Sequence, residues 1–194
     1  INNDNLQQRI DYYKQFPSFK GVRHILQAEQ KGFMTSNKFI NGLKSILKSN
    51  LTYDVLITEG QFEEVLRMIK RLPERRLIID HIGKPDIKNK SFSDWSAYMK
   101  QISSFDHVYV KLSGMVTEAD WYNWETEDIK PYIDFCLDNV GPSRLMFGSD
   151  WPVCLLAGSY DRITKSIERC LAELSLDEQN QVMGKTASQF YEIS

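Results

Sequence analysis

Short apolar runs alternate with amphipathic stretches along the whole chain. Five runs dense in Val, Ile, Leu and Phe predict strands at 19–26, 53–58, 76–81, 108–112 and 144–148. Before, between and after them, apolar residues recur at helical spacing and predict helices at 4–15, 38–48, 61–71, 92–103, 129–139, 160–173 and 177–191. Pro17 and Pro73 end two helices, whereas Ser91 and Ser175 are predicted to cap two others at their first turn.

This alternation of strand and helix predicts an α/β fold with parallel strands and helices packed outside them. Two architectures satisfy it, namely an open doubly wound sheet and part of a (β/α)8 barrel. An open sheet that binds a dinucleotide has a glycine-rich turn after a strand, whereas Gly83 and Gly148 are isolated. A complete barrel takes about 250 residues, and this chain has 194. We expect residues 1–194 to form a single domain, since no repeat or linker interrupts the pattern.

Charge and cysteine content narrow the possible partners. The formal net charge is −2, and the basic residues are scattered among acidic ones, so no nucleic-acid or membrane partner is predicted. No run reaches the roughly 18 apolar residues of a spanning helix, and no signal-peptide pattern opens the chain. Cys136, Cys154 and Cys170 lack C-x-x-C spacing and are predicted to be thiols in a reducing cytoplasm.

Polar residues collect where the predicted strands end. Because parallel strands bring their carboxyl ends to one rim, where α/β barrels carry their chemistry, these side chains should converge there. Each one alone is more simply explained as a structural residue or a surface ion pair. Their shared position favours a functional site. The residues are Arg23, His24, His81, Lys111, Ser113 and Asp150.

Asp150 is the strongest of these candidates. It directly follows a short apolar strand and precedes Trp151 and Pro152, so its carboxylate must be solvated, paired or used in chemistry. A second feature is the aromatic loop at 118–125, which carries Trp121, Tyr122 and Trp124. Its rings could line a ligand pocket or cover the end of a barrel as an apolar plug, and the sequence leaves both interpretations open.

Four segments have the length and order of motifs found in a known family. They are Phe-Lys-Gly-Val-Arg-His at 19–24, Ile-Asp-His-Ile-Gly-Lys-Pro at 79–85, Val-Tyr-Val-Lys-Leu-Ser-Gly at 108–114, and Arg-Leu-Met-Phe-Gly-Ser-Asp-Trp-Pro at 144–152. In these motifs the chain resembles the amidohydrolase-related family. The nearest branch is that of the sugar-lactone hydrolases, such as the L-fuconolactonases and L-rhamnonolactonases. The resemblance covers most of the chain and is more specific for the family than for the substrate.

The resemblance implies a TIM-type (β/α)8 barrel of which this chain holds strands 4–8, its carboxyl-terminal part. The His-x-His pair of the family's first strand is absent, so we expect another part of the protein, or a second copy in a homo-oligomer, to cover the open barrel. The implied reaction is hydrolysis of a lactone ester, with Asp150 taking a proton from water and His81 acting beside it. The implied substrate-binding residues are Arg23, His24, Lys111 and Trp151.

The sequence leaves alternatives open for both the cofactor and the activity. In many relatives a divalent ion is held by the histidine pair, a further histidine and the last-strand aspartate. Because only His81 and Asp150 match, we predict no tightly bound catalytic metal in this chain, although the full-length protein could hold zinc. The alternative functions are a decarboxylase or another hydrolase of the same superfamily, and an inactive barrel fragment that serves as a binding or structural module.

Overall fold

A five-stranded parallel sheet forms the centre of the protein. A computed structural model describes residue 1 and residues 4–193. The strands pair in chain order, each with the next. They are β1 Gly21–Ile25, β2 Thr52–Leu56, β3 Leu77–Ile79, β4 Val108–Leu112 and β5 Leu145–Phe147. The predicted parallel α/β sheet is confirmed, and several strands are shorter than the apolar runs that predicted them.

Helices precede, connect and follow the strands, as the alternating pattern predicted. They are α1 Leu6–Tyr13, α2 Asn37–Lys48, α3 Phe62–Ile69, α4 Ser93–Ser103, α5 Met115–Glu118, α6 Thr126–Asn139, α7 Tyr160–Cys170, α8 Leu176–Asn180 and α9 Thr186–Tyr191. The last predicted helix is divided, because a π-helical turn at Gln181–Lys185 separates α8 from α9. Within the part of the chain that the structure describes, no helix is long and apolar enough to cross a membrane.

Two helix starts differ from the prediction, and side-chain hydrogen bonds explain both. The predicted Ser91 cap is wrong, because its hydroxyl donates to Glu59 Oε1 at 2.7 Å and α4 begins later without a side-chain cap. Helix α6 begins three residues before the predicted position 129, because Glu125 and Asp128 form a capping box. The capping box at Ser175 is confirmed.

The two faces of the sheet bury different partners. Alternate residues of each strand point to opposite faces, and Val108, Val110 and Leu112 lie in the large core that the helices cover. The opposite face carries a smaller cluster in which Phe190 of α9 packs on Ile78 and Met146. The chain's own last helix therefore covers part of this second face, which is called the inner face of the sheet below.

Candidate active site

The chain leaves β3 through a left-handed turn. His81, Ile82, Gly83 and Lys84 have φ values of 54°, 46°, 73° and 54°. A non-glycine residue in this conformation costs about 1–2 kcal/mol, and β-branched residues rarely adopt it. Gly83 also has no room for a side chain, because an added Cβ would lie 2.3 Å from Cζ of Phe62. Strain of this kind in consecutive residues points to a functional segment.

Two contacts from outside the turn hold it in place. The indole Nε1–H of Trp95 donates to the carbonyl oxygen of Ile82 at 2.8 Å, in a fully buried position. Farther along, Lys84 Nζ lies 2.7 Å from Glu118 Oε1, which ties the end of the turn to α5. The first contact is a directed hydrogen bond and the second is a partly exposed ion pair.

The turn aims the His81 imidazole at Asp150. Nε2 of His81 lies 3.7 Å from Oδ1 of Asp150, and its Nδ1 lies 2.8 Å from Oγ of Ser113. The ring packs so closely on Gly114 that an added Cβ there would lie 2.7 Å from the ring Cγ. Asp150 itself has a left-handed φ of 57°. The structure thus brings together three residues that the strand order predicted to meet.

Burial lowers the pKa of His81, although the charges of Asp150 and Asp80 oppose the effect. The imidazole is therefore neutral at pH 7, with one nitrogen as donor and the other as acceptor. When Ser113 donates to Nδ1, the Nε2–H of His81 faces the carboxylate of Asp150. In this arrangement the carboxylate can accept a proton, and the neutral imidazole beside it can donate a hydrogen bond.

A network of charges lies on the inner face of the sheet, below this rim. Lys111 Nζ is 2.5 Å from Asp54 Oδ2 and 2.8 Å from Asp80 Oδ1, and Arg23 Nη1 is 3.3 Å from Asp80 Oδ2. The hydroxyl of Tyr191 donates to Asp54 Oδ2 at 2.8 Å. Burial works to lower the pKa of Lys111, but the two carboxylates outweigh it and raise that pKa. The ammonium therefore stays charged.

Three members of this network were not among the predicted site residues. Asp54 could have been found, because it is a lone carboxylate inside an apolar strand at an inner-face position. Asp80 directly precedes His81 and is fully buried, so it too required a partner. Tyr191 gave no signal in the sequence, because its position on the inner face depends on how α9 folds back over the sheet.

One predicted substrate-binding residue, His24, is separated from this group, whereas Trp151 is exposed next to it. His24 does not join the group, because its Nε2 pairs with Glu29 Oε1 at 2.7 Å and its ring stacks on Phe33. Neighbouring residues of a strand point to opposite faces, so His24 and Arg23 cannot both face the inner side. Trp151 directly follows Asp150 in the sequence, and 64% of its surface is exposed.

The aromatic loop is divided between the two interpretations that the sequence left open. Trp124 is buried, and its indole N–H donates to the carbonyl of Ala157 at 2.6 Å, so it acts as an apolar plug. Trp121 is 42% exposed and Tyr122 is 85% exposed. These two rings are free to contact a ligand, whereas Trp124 belongs to the core.

The described residues do not form a metal centre by themselves. In residues 1 and 4–193, no group of three or more His, Cys, Asp and Glu side chains is placed to hold an ion. Zinc prefers about four ligands, and the pair of His81 and Asp150 offers two. We therefore derive no step of the reaction through a metal.

The lowered pKa of His81 predicts a pH-dependent stability. The unfolded state binds more protons than the folded state below about pH 6.5, the ordinary histidine value, so the free energy of unfolding falls as pH falls through that region. Above it the full stability is present. We expect a shallower decrease for His81→Gln than for the wild type in urea unfolding between roughly pH 6.5 and 5. Parallel curves for the two proteins would contradict this.

Comparison with known proteins finds relatives in sequence and in fold. An L-fucono-1,5-lactonase of Burkholderia multivorans is 38% identical over 186 residues, which cover 90% of this chain and 63% of that protein. An L-fucono-1,5-lactonase of Burkholderia ambifaria is 32% identical over 182 residues, covering 91% and 62%. A crystal structure of an amidohydrolase from B. multivorans with bound zinc superposes with a TM-score of 0.95 at 35% identity, covering all of this chain and 71% of that one.

The chain spans less than two thirds of the length of the two lactonases that it matches. The amidohydrolase family pattern matches residues 8–193, which is nearly the whole sequence. The match includes all five strands, the left-handed turn and the segment around Asp150. The chain therefore belongs to the amidohydrolase family.

Proposed function

We propose that the protein to which this chain belongs hydrolyses the ester bond of a sugar-derived lactone. The observation that carries the proposal is the approach of Asp150 Oδ1 to His81 Nε2, at 3.7 Å, at the carboxyl-terminal rim of the sheet. Similarity to proteins named as L-fucono-1,5-lactonases supports the class of substrate.

In the proposed reaction Asp150 accepts a proton from a water molecule, and the water oxygen forms a bond to the lactone carbonyl carbon. The carbonyl oxygen becomes negatively charged, and the Nε2–H of His81 is a donor that can stabilise it. The bond from this carbon to the ring oxygen then breaks, and the ring oxygen takes the proton back from Asp150. The product is an open-chain hydroxy acid.

Arg23 and Trp151 are the proposed substrate-binding residues on this side of the site. About half of the Arg23 side chain is exposed, so its guanidinium can donate to substrate hydroxyls while it contacts Asp80. The exposed indole of Trp151 can pack on the face of a sugar ring. Lys111 supports the site from below, because its ammonium is already bound by two carboxylates.

The charge balance near the site favours a neutral lactone. Three cations that lie near His81 or its neighbour Asp80 are each paired: Arg23 with Asp80, Lys84 with Glu118, and Lys111 with Asp54 and Asp80. A substrate carboxylate is best bound by a cation that is free to form a bidentate contact. Paired cations suit an uncharged, hydroxyl-rich substrate better than the carboxylic acid that a decarboxylase uses.

A substrate panel tests the proposal on the protein expressed from its complete gene. We expect acid release, followed with a pH indicator, from neutral aldonolactones and no release of carbon dioxide from aromatic carboxylic acids. Each assay is run with and without a chelator and is corrected for spontaneous lactone opening. Failure to open any lactone, together with decarboxylation of an acid, would replace the lactonase by the decarboxylase alternative. Inactivity in both assays would favour a binding or structural module.

We also propose that β1–β5 correspond to the fourth to eighth strands of a (β/α)8 barrel, within one domain spanning residues 1–194. The parallel order of neighbouring strands supports this, as does the coverage of 71% of the zinc-bound amidohydrolase. A cytoplasmic location is supported by three free, buried cysteines. A homo-oligomer, and the absence of nucleic-acid and membrane partners, stay predictions.

A further inference from the structure

We infer that Trp95 is a positioning residue for His81, acting through the carbonyl of Ile82. This inference rests on the proposed function, because it assigns a role in the same site. The indole N–H reaches the turn from α4, on the helical side of the sheet. It thereby connects the helical layer to the imidazole at the rim.

The hydrogen bond selects the left-handed form of the turn. The direction of a peptide carbonyl depends on the backbone angles around it, and Ile82 has φ 46° and ψ 25°. If Ile82 adopted a right-handed or extended conformation, its carbonyl would point away from the indole. The bond from Trp95 is therefore made only when the turn has the shape that directs His81 toward Asp150.

Trp95 is itself held firmly. Its ring lies 5.6 Å from that of Phe92, 5.0 Å from that of Tyr132 and 5.3 Å from that of Phe135, centroid to centroid. The side chain is completely buried. A fixed indole can define the position of its acceptor more closely than a mobile surface group could.

The other contacts of the turn cannot replace this bond. The Lys84–Glu118 pair is about one quarter exposed on each side chain and acts at the end of the turn. The contact of Gly83 with Phe62 is apolar and has no preferred direction. The Lys84 N–H donates to the carbonyl of His81 at 2.8 Å, but this bond lies within the turn. Trp95 thus supplies the directed contact that reaches the turn from the helical layer.

A displaced imidazole would affect the chemical step more than substrate binding. His81 is confined between Gly114 and the hydroxyl of Ser113, so a small rotation of the turn would disturb both contacts and the approach to Asp150. A misplacement of about 1 Å can reduce a rate by roughly 100-fold.

Trp95→Phe tests the inference, because phenylalanine keeps an aromatic ring in the core and removes the N–H donor. In the protein expressed from its complete gene, we expect kcat to fall by roughly 10- to 100-fold, with KM changed by no more than about twofold. We also expect the side-chain ¹⁵N resonances of His81 to move, since they report the hydrogen bond with Ser113.

Trp124→Phe is the matched control. Trp124 is also buried, and its N–H also donates to a backbone carbonyl, that of Ala157. The Trp124→Phe variant should lose stability to a similar extent as Trp95→Phe, with kcat and the His81 resonances unchanged. If Trp95→Phe behaved like this control, the inference would be overturned, because Trp95 would then serve packing alone.

The His81 resonances decide the inference even if the proposed function fails. They are measured without substrate, so a protein that opens no lactone can still be compared with its Trp95→Phe variant. A shift in the variant supports the positioning role in that case too, and unchanged resonances contradict it.

Discussion

Asp150→Asn is expected to abolish lactone hydrolysis by the protein expressed from its complete gene. Asparagine has nearly the same shape but does not accept a proton from water at neutral pH, so the proposed attack loses its base. General-base catalysis contributes about 10²- to 10⁴-fold to a rate, and we expect a loss of kcat of that order. The measurement is acid release from the lactone that the wild type opens fastest.

Asp161→Asn provides the control for this substitution. Asp161 is an exposed carboxylate that pairs with Lys165 on α7, and the same change there should leave turnover intact. Thermal unfolding of both variants shows whether they are folded. A folded Asp150→Asn variant with wild-type turnover would refute the role assigned to Asp150.

Lys111→Met is expected to have the largest effect on stability. The substitution leaves Asp54 and the fully buried Asp80 without the ammonium that lies 2.5 and 2.8 Å from them. Removing one partner from a buried ion pair costs about 3–5 kcal/mol, because an unpaired buried charge remains. For a protein of this size we expect a fall in Tm of roughly 10 °C, measured by calorimetry or circular dichroism.

Two further variants test whether the loss of stability comes from leaving a buried carboxylate without a partner. Lys165→Met removes a lysine from an exposed pair and should change the free energy of unfolding by no more than about 0.5 kcal/mol. The double variant Lys111→Met with Asp54→Asn should be more stable than Lys111→Met alone, since one unpaired carboxylate is removed. Equal stability of Lys111→Met and the wild type would show that the charge network does not stabilise the folded protein.

The element order and the location of the rim follow from local patterns in the sequence. A buried parallel strand needs a continuous apolar run and an outer helix needs an apolar stripe, so five such runs predicted five strands in chain order. Asp150 and His81 could be placed together by the same reasoning, because parallel strands end at one rim. The capping-box spacing of Ser175 and Glu178 also predicted the start of α8, as the structure confirms.

Contacts between distant parts of the chain decided the composition and the shape of the candidate site. Strand ends alone did not predict that His24 faces Glu29, since the side of the sheet that a residue faces depends on strand register. Neither could they predict the left-handed turn at His81, which is held by an indole from α4. Local sequence determines which segments bury apolar surface, but the packing of those segments decides which polar side chains meet.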